Sequence, residues 1–527
     1  LSLIRDRLAE MDNPVHEIGG VPIHLRQEVN TMLKHKNFVD YRFTANHQIA
    51  QVFETSIMQE PGVLRKELSK GGKGLDEKQK ENTKALRSAY FRLKDSLNAM
   101  LAENDATEEK LTAYLHSLID TLRNSMKVLR ITVPDESDAY TLFETLNDRG
   151  VRLSASDLLK SYTLRGAKDL SEIDIEDVVS KWDEANELLG DFSFEKFLRH
   201  YLLATQDAQP VQTKKIFPMF RQRIDEIGPL TNLEQIAEAA YLYAQLLNES
   251  IETGDAELDA TLDRINMFSV THRVFLLSVF EGKSDDPDVP GWSKELLRYA
   301  ARATEMLAFR WTIRGGNAQQ LEGIYQRYAN RVRREATPGL KSGALIEILE
   351  SLMAEAPSDE EVRLEINTAG GRRDHLEYVL NRVEGAQSGD LLRWVRQKTT
   401  VQALAPVSPS PDSNWYDVVA PPKAGADGGE KAYEEYVQMW GNYTLTEFPL
   451  ENAIKHTNWR KKVDGTLEVK GLSKSEMYMN KDLSVIDQLT KDHIVARTEW
   501  MAEAIVLLSS AKAAANAEPA RVEGFPA

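Results

Sequence analysis

The sequence predicts a mostly α-helical α+β protein, on three observations. From about residue 168 to 385 apolar residues recur at helical spacing almost without interruption, as in FEKFLRHYLLA, LEQIAEAAYLYAQLL, INMFSVTHRVFLLSVF and SKELLRYAARATEMLAFRWTI. Strand-like runs are short and few; KVLRITV, residues 127 to 133, is apolar and β-branched. Residues 405 to 430 are rich in Pro, Ser and Gly and read as a long irregular connection. Three parts follow: residues 1–167, a helical middle over 168–385, and a C-terminal part over 386–527.

Composition bounds the function. A chain of 527 residues, 42% hydrophobic and 28% charged, is an ordinary multi-domain globular protein. No apolar run is long enough to span a membrane and no stretch reads as a signal peptide, so a cytoplasmic protein without a membrane partner is expected. With no cysteine, disulfides, thiolate catalysis and Cys-ligated zinc are excluded. A formal net charge of −17 argues against nonspecific coating of nucleic acid, which needs clustered Lys and Arg, but leaves room for a local basic groove.

LSLIRDRLAEM reads as a helix with Leu1, Ile4, Leu8 and Met11 on one face. Residues 12 to 45, with Gly19, Gly20 and Pro22, suggest a small strand-containing region. Lys66 to Asn82 reads as a solvated loop, and the chain is then helical to about residue 127. A helix–turn–helix corner follows KVLRITV. Ala139, Leu142, Phe143 and Leu146 form one apolar stripe, with Ser137 as N-cap and Gly150 as the terminating turn. Ser154 opens the second helix, Asp157 completes a capping box, and Leu158, Leu159 and Tyr162 form its buried face. Asn147, Asp148, Arg149 and Arg152 stand between the helices. They either satisfy loop backbone or present Asn147 and Arg149 to a phosphate-bearing ligand. There is no Walker motif, so a P-loop is not supported. His200 and His272 lie within helical patterns without a second ligand at i+4 and read as structural. Arg310, Arg314 and the run from Arg327 to Arg334 read as a solvated helix face, with DNA contact as the alternative.

FETLNDRG followed by LSASDLLK resembles the signature of the GmrSD-type family, bacterial modification-dependent restriction proteins that include phosphorothioate-sensing anti-phage effectors. The resemblance is strong at this corner, recognisable in the C-terminal third and loose between. It implies an N-terminal ParB-like domain that hydrolyses an NTP (GTP or ATP) and a C-terminal HNH nuclease domain of ββα-metal type. Glu144, Asn147, Asp148 and Arg149 are then the nucleotide-binding candidates. The family's Asp-Gly-Gln-Gln-Arg motif is absent before the first helix, so the chain is expected to lack its natural N-terminus; a natural start with Met removed is the alternative.

In the resembled family the nuclease site is Glu-His followed by a hydrophobic residue and Pro, then Gly-Asn-x-Thr-Leu, then a further Asn. Here Val401-Gln402-Ala403-Leu404-Ala405-Pro406 stands at the first motif, Trp440-Gly441-Asn442-Tyr443-Thr444-Leu445 at the second and Asn452 at the third. Asn458-Trp459 with Lys461 or Lys462 matches a later Asn and Lys. The resemblance implies catalytic positions at Gln402, Ala403, Asn442 and Asn452, with Gln402 and Asn452 as ligands of Mg²⁺. Lys455, Arg460, Lys461 and Lys462, with Lys470 and Lys474, form the most credible basic surface for DNA backbone. Two departures matter. Gln402 replaces an acidic residue, and an amide oxygen is a weaker ligand for a hard cation. Ala403 replaces the His, and alanine cannot take a proton from water. The otherwise intact frame favours a deliberate replacement, with a naturally degenerate domain as the alternative. Asp492-His493-Ile494 imitates the first motif locally but lies too late in the domain to serve.

The expected geometry is a strand ending at Val401 and Gln402, paired with Asn442 to Leu445, and a helix behind it carrying Asn452. The implied function is restriction of foreign DNA, with NTP hydrolysis coupled to nicking or cleavage. The partners are double-stranded, modified DNA and an NTP, with a homo-oligomer left open. Glucosylated hydroxymethylcytosine and phosphorothioate linkages are both open as the mark. The rivals are a non-catalytic DNA-binding or regulatory protein with a degenerate nuclease domain, and a helical scaffold.

Overall fold

A computed structural model describes residues 1–11, 15–18, 20–34, 53–58, 77–103, 107–127, 154–168, 175–206, 211–284, 286, 288–368, 373–389, 399–409, 414–421, 429–450, 455–516 and 521–525. Residues 128–133 of the strand expected at 127–133, the corner's first helix and Asn452 lie outside them, as do Glu144, Asn147, Asp148 and Arg149. The chain divides into two compact units, Leu1–Thr145 and Leu146–Ala527.

In the first unit, α1 (Ser2–Ala9) buries Ile4 and Leu8, the stripe the sequence predicts. β1 (Val15–Ile18) and β2 (Val21–His24) form an antiparallel hairpin with Ile18 opposite Val21. Gly20 takes φ +81° at its turn, a conformation that favours glycine. α2 (Leu25–Leu33) follows directly, then α3 (Glu77–Glu103) and α4 (Glu108–Asp120). Helix α3 thus begins inside the stretch expected as a solvated loop. Leu25, Val29 and Leu33 of α2 and Leu115 and Ile119 of α4 pack with Ile4 and Leu8 in one core. Arg5, fully buried on α1, donates from Nη1 to the Met58 carbonyl at 2.5 Å.

The second unit begins with α5 (Ala155–Lys168), whose capping box is reciprocal: the Asp157 N–H reaches Ser154 Oγ at 3.2 Å and the Ser154 N–H reaches Asp157 Oδ2 at 3.2 Å. Then follow α6 (Ile175–Glu187), α7 (Phe194–Thr205), α8 (Ile216–Ile227), α9 (Pro229–Leu247), α10 (Ala256–Ile265), α11 (His272–Phe280), α12 (Lys294–Ile313), α13 (Ala318–Arg331), α14 (Ser342–Met353), α15 (Asp359–Thr368) and α16 (Arg373–Ser388). Local chemistry sets these boundaries. Ser193, Asp255, Ser293 and Asn317 each cap a helix through a side-chain oxygen. Pro229 occupies the first turn of α9, and Asn248 ends it in the left-handed region at φ +55°. INMFSVTHRVFLLSVF is helical in α11 only from His272, because residues 266–271 turn between two helices.

His200 and His272 are buried. The His200 ring shares a 2.7 Å hydrogen bond with the Tyr243 hydroxyl, and His272 Nδ1 lies 2.6 Å from the Ser269 carbonyl. Arg310 corrects the sequence reading. It lies neither on a solvated face nor toward DNA, but is 3% exposed, donating to the carbonyls of Ser509 at 2.7 Å and Pro357 at 2.9 Å and to Asp359 at 2.7 Å. Arg314 and Arg327 pair with Glu361 and Glu355, and Arg331 with Glu335.

The C-terminal elements are β3 (Thr400–Ala403), α17 (Trp415–Val419), α18 (Gly429–Val437), β4 (Tyr443–Thr446), α19 (Trp459–Asp464), α20 (Tyr478–Ser484), α21 (Lys491–Leu508) and α22 (Ala511–Ala515). β3 and β4 pair antiparallel, with Val401 opposite Leu445 and Ala403 opposite Tyr443. One core joins Phe309 of α12 and Val362 of α15 to Leu376 and Val383 of α16, Leu445 of β4 and Met501 of α21. A second core gathers Leu404, Trp415, Val437, Trp459, Val463 and Ile494. The strand pair faces the first core through Val401, Ala403, Tyr443 and Leu445, and Leu404, just past β3, enters the second.

Candidate active site

The site is built from the strand pair outward. Gly441 lies in a 3₁₀ turn just before β4, and α21 runs so close that a Cβ there would come within 2.2 Å of the Ile494 carbonyl and 2.6 Å of the Thr498 nitrogen. The Gly441 N–H is satisfied by Thr498 Oγ1 at 3.0 Å. Glycine is therefore required by contact with α21, not by its φ.

Asn442 is fully buried, and its amide is committed to backbone. Oδ1 accepts from the Ala405 N–H at 2.7 Å; Nδ2 donates to the carbonyls of Ala405 at 3.0 Å and Val437 at 2.8 Å. The Asn442 carbonyl also accepts from the Leu404 N–H at 2.7 Å. Thr444 donates to Asn480 Oδ1 at 2.5 Å, and Asn480 Nδ2 returns a bond to the Leu445 carbonyl at 2.6 Å. Leu445 is fully buried. The Gly-Asn-x-Thr-Leu pattern thus describes how β4 and the loop after β3 are locked. Asn442 thus holds residue 405 through its amide.

Residue 403 ends β3 and is half-buried. Gln402 is 9% exposed and anchors its Nε2 on Thr400 Oγ1 at 2.9 Å. Lys462 departs most from the sequence reading. It is not on the basic surface but fully buried, and its ammonium donates to the Ala403 carbonyl at 2.9 Å and the Leu404 carbonyl at 2.7 Å. It also lies 5.7 Å from the centre of the Trp415 ring. Burial, helped by the charge of Lys455, pulls its pKa down to about 7. Lys455, Arg460, Lys461, Lys470 and Lys474 are exposed. Arg460 sits between Asp464 and Asp487, 3.8 Å from each, and borders a cleft of about 230 Å³ lined also by Asn414, Trp415, Asn458, Trp459 and Gln488.

Two residues that sequence reasoning missed belong to this frame. Arg497 of α21 is 1% exposed and donates from Nη1 to the carbonyls of Gly441 at 2.8 Å and Tyr443 at 2.5 Å, while its Nε and Nη2 have no hydrogen-bond partner among the described residues. Burial lowers its pKa to about 9. Glu384 of α16, also buried, accepts from the N–H groups of Tyr478 at 2.9 Å and Met479 at 3.1 Å and so sets the start of α20. His493, the imitation of the first motif, is a cap: its Nδ1 accepts from the Thr490 N–H at 3.2 Å.

Of the two expected Mg²⁺ ligands, Asn452 lies outside the described residues. Among the described residues no three His, Asp or Glu side chains cluster as a metal site, and Gln402 offers an amide where a carboxylate serves a hard cation better.

Residues 26–164 match the family described as GmrSD restriction endonuclease, N-terminal domain, and residues 357–504 match GmrSD restriction endonucleases, C-terminal domain. Together these matches take in more than half of the chain, which therefore belongs to the GmrSD restriction endonuclease family. The C-terminal match begins at residue 357, taking in α15 and α16, whose side chains share a core with β4 and α21. No curated protein matches the chain. Among the described residues no helix is long and apolar enough to cross a membrane.

Proposed function

We propose that this chain is a modification-dependent restriction protein in which NTP hydrolysis by the N-terminal part licenses nicking of double-stranded DNA by an HNH-type C-terminal part. In this reading position 403 is that of the general base and Gln402 and Asn452 are those of the metal ligands. Glu144, Asn147, Asp148 and Arg149 are the nucleotide candidates. As the chain stands, Ala403 cannot take a proton, so it engages DNA without efficient cutting. The observation that carries this is local: residue 403 ends β3 on a backbone tied by Asn442 and Lys462, a rigidity that a plain surface loop does not need. Ala403 equally favours a second reading, a regulatory DNA-binding protein with a degenerate nuclease domain. Filter binding and plasmid nicking separate the two, with modified and unmodified DNA, with and without GTP or ATP. Modification-selective binding plus nicking by an Ala403→His form supports the first. Binding without nicking by either form supports the second, and absence of DNA binding removes both.

A further inference from the structure

The cleft beside Arg460 is walled by the first residues of two short helices. Trp415 opens α17 and Trp459 opens α19, and both are buried. Each indole N–H is already committed, Trp415 Nε1 to the Thr457 carbonyl at 2.8 Å and Trp459 Nε1 to the Ile486 carbonyl at 2.8 Å. The rings therefore offer the cleft only carbon, from positions those bonds lock. The polar groups stand around them. Asn414 and Gln488 are exposed, and among the described residues neither side chain makes a hydrogen bond. Asn458 accepts the Lys461 N–H on Oδ1 at 3.0 Å, which leaves its Nδ2 to face a ligand. Arg460 lies 3.8 Å from Asp464 and from Asp487, beyond hydrogen-bond reach, so its donors stay available.

Size and charge narrow the ligand. A cleft of about 230 Å³ is smaller than the roughly 300–1,000 Å³ of pockets for drug-sized molecules, so it admits one ring system and not a length of chain. The Asp487 carboxylate, fully exposed where it lines the cleft, repels a phosphate and favours a neutral group. Asn, Gln, Arg and Asp are the side chains whose donors and acceptors match base edges. The carboxamides suit adenine, the guanidinium suits guanine, and a carboxylate accepts from the amino group of cytosine. Lys455 and Lys461, exposed on the same stretch of chain, can hold backbone phosphates. We propose that this cleft takes a single nucleobase of a DNA strand, turned out of the stack, with Asn414, Asn458, Gln488 and Arg460 reading its edge. The inference rests on the DNA-binding half of the function proposed above, and not on cleavage, on position 403 or on a metal. A paired base reaches such a cleft only by leaving the duplex, a cost that is least where the base is already mismatched.

The test compares duplexes that differ at one position. The full chain is titrated by fluorescence anisotropy with a fully paired duplex, the same duplex carrying a central mismatch, and one carrying an abasic site in place of the mismatched base. The mismatched duplex should bind about tenfold or more tightly than either of the others. Asn414→Ala combined with Gln488→Ala should bring that ratio toward one. 5-Iodouracil at the mismatched position should crosslink under light to peptides carrying Trp415 or Trp459. Equal binding of the three duplexes overturns the proposal and leaves the DNA-binding reading standing. So does equal binding of the mismatched and abasic duplexes, which would report a pliant duplex instead of a captured base. A preference that the double variant keeps, or a crosslink confined to another part of the chain, overturns it as well. If circular dichroism shows the double variant unfolded, the crosslink in the parent chain decides alone. Failure to bind any duplex removes the DNA-binding reading, and the proposal with it.

Discussion

The Asn442 amide closes a ring with the backbone of Ala405, accepting its N–H at 2.7 Å and donating to its carbonyl at 3.0 Å. Both partners are buried. Asn442→Ala leaves the Ala405 N–H and two carbonyls unmet and should cost about 2–4 kcal/mol in urea unfolding. Asn442→Asp should do no better, because a carboxylate keeps the acceptor but confronts the carbonyls of Ala405 and Val437 with a second oxygen. An Asp variant as stable as the parent would mean that the donating half of the amide contributes nothing.

Gly441→Ala is a second stability prediction with a different cause. The added methyl meets backbone atoms of α21, which cannot swing aside as a side-chain end can. Moving α21 from the 3₁₀ turn would also strain the Thr498 and Arg497 bonds to it. A loss of about 2–4 kcal/mol is expected, in the range of overpacking in rigid surroundings. Circular dichroism during urea titration checks it, and a loss under about 1 kcal/mol would show that α21 yields easily.

The helical middle was legible because its apolar residues repeat over many turns, and the pairing of β3 with β4, though not its register, because Gly-Asn-x-Thr-Leu and the 401–406 stretch are distinctive. What was not legible was the burial of cations. Lys462, Arg497 and Arg310 were read as surface charge or passed over, yet each lies on an apolar stripe: Trp459–Lys462–Val463, Ile494–Arg497–Met501 and Met306–Arg310–Ile313. A charge at a core position of a helix is a signal that periodicity carries and residue type hides. Its partners, backbone carbonyls distant in sequence, leave no such trace. The role of Asn442 was hidden for the same reason, since an amide that holds backbone and an amide that holds a ligand look alike in a sequence.

The exposed basic residues beside the site give an electrostatic prediction. Replacing Arg460 and Lys461 together with Ala should weaken binding of double-stranded DNA and flatten its dependence on salt, since fewer counter-ions are released. Arg460 is held between Asp464 and Asp487, so Lys461 should carry more of the effect. Fluorescence anisotropy between roughly 50 and 200 mM salt measures the slope. An unchanged slope would place the DNA path elsewhere.

His200 and His272 make stability depend on acid. Burial holds both imidazoles neutral, with pKa values near 3 instead of 6.5. Above pH 6.5 neither state binds the extra proton and the pair contributes no pH dependence. Between 6.5 and about 3 the unfolded chain takes up protons that the folded chain refuses, so stability falls as pH falls. His200→Gln, which keeps a partner for the Tyr243 hydroxyl, should lose less stability than the parent between about pH 7 and pH 4. Equal losses would mean that His200 is protonated in the fold.

Ala403→His is the prediction on which the proposed chemistry turns. Residue 403 ends β3 opposite Tyr443, on backbone held by Lys462 and Asn442, so a new side chain there would leave a fixed anchor. A neutral imidazole can take a proton from water near pH 7, and a placed general base contributes about 10²–10⁴-fold. The parent should therefore be nearly silent in plasmid nicking and the His form active, in Mg²⁺ and not with chelator. The amide of Gln402 is a weak partner for a hard cation, so adding Gln402→Glu should raise nicking further and lower the Mg²⁺ concentration it needs. Equal nicking by parent and Ala403→His would place the base elsewhere. His493 is not the first substitute, since its Nδ1 is held in the cap of α21. Silence of both single and double variants on every DNA tested, in the presence of NTP, would retire the nuclease reading in favour of a DNA-binding regulator.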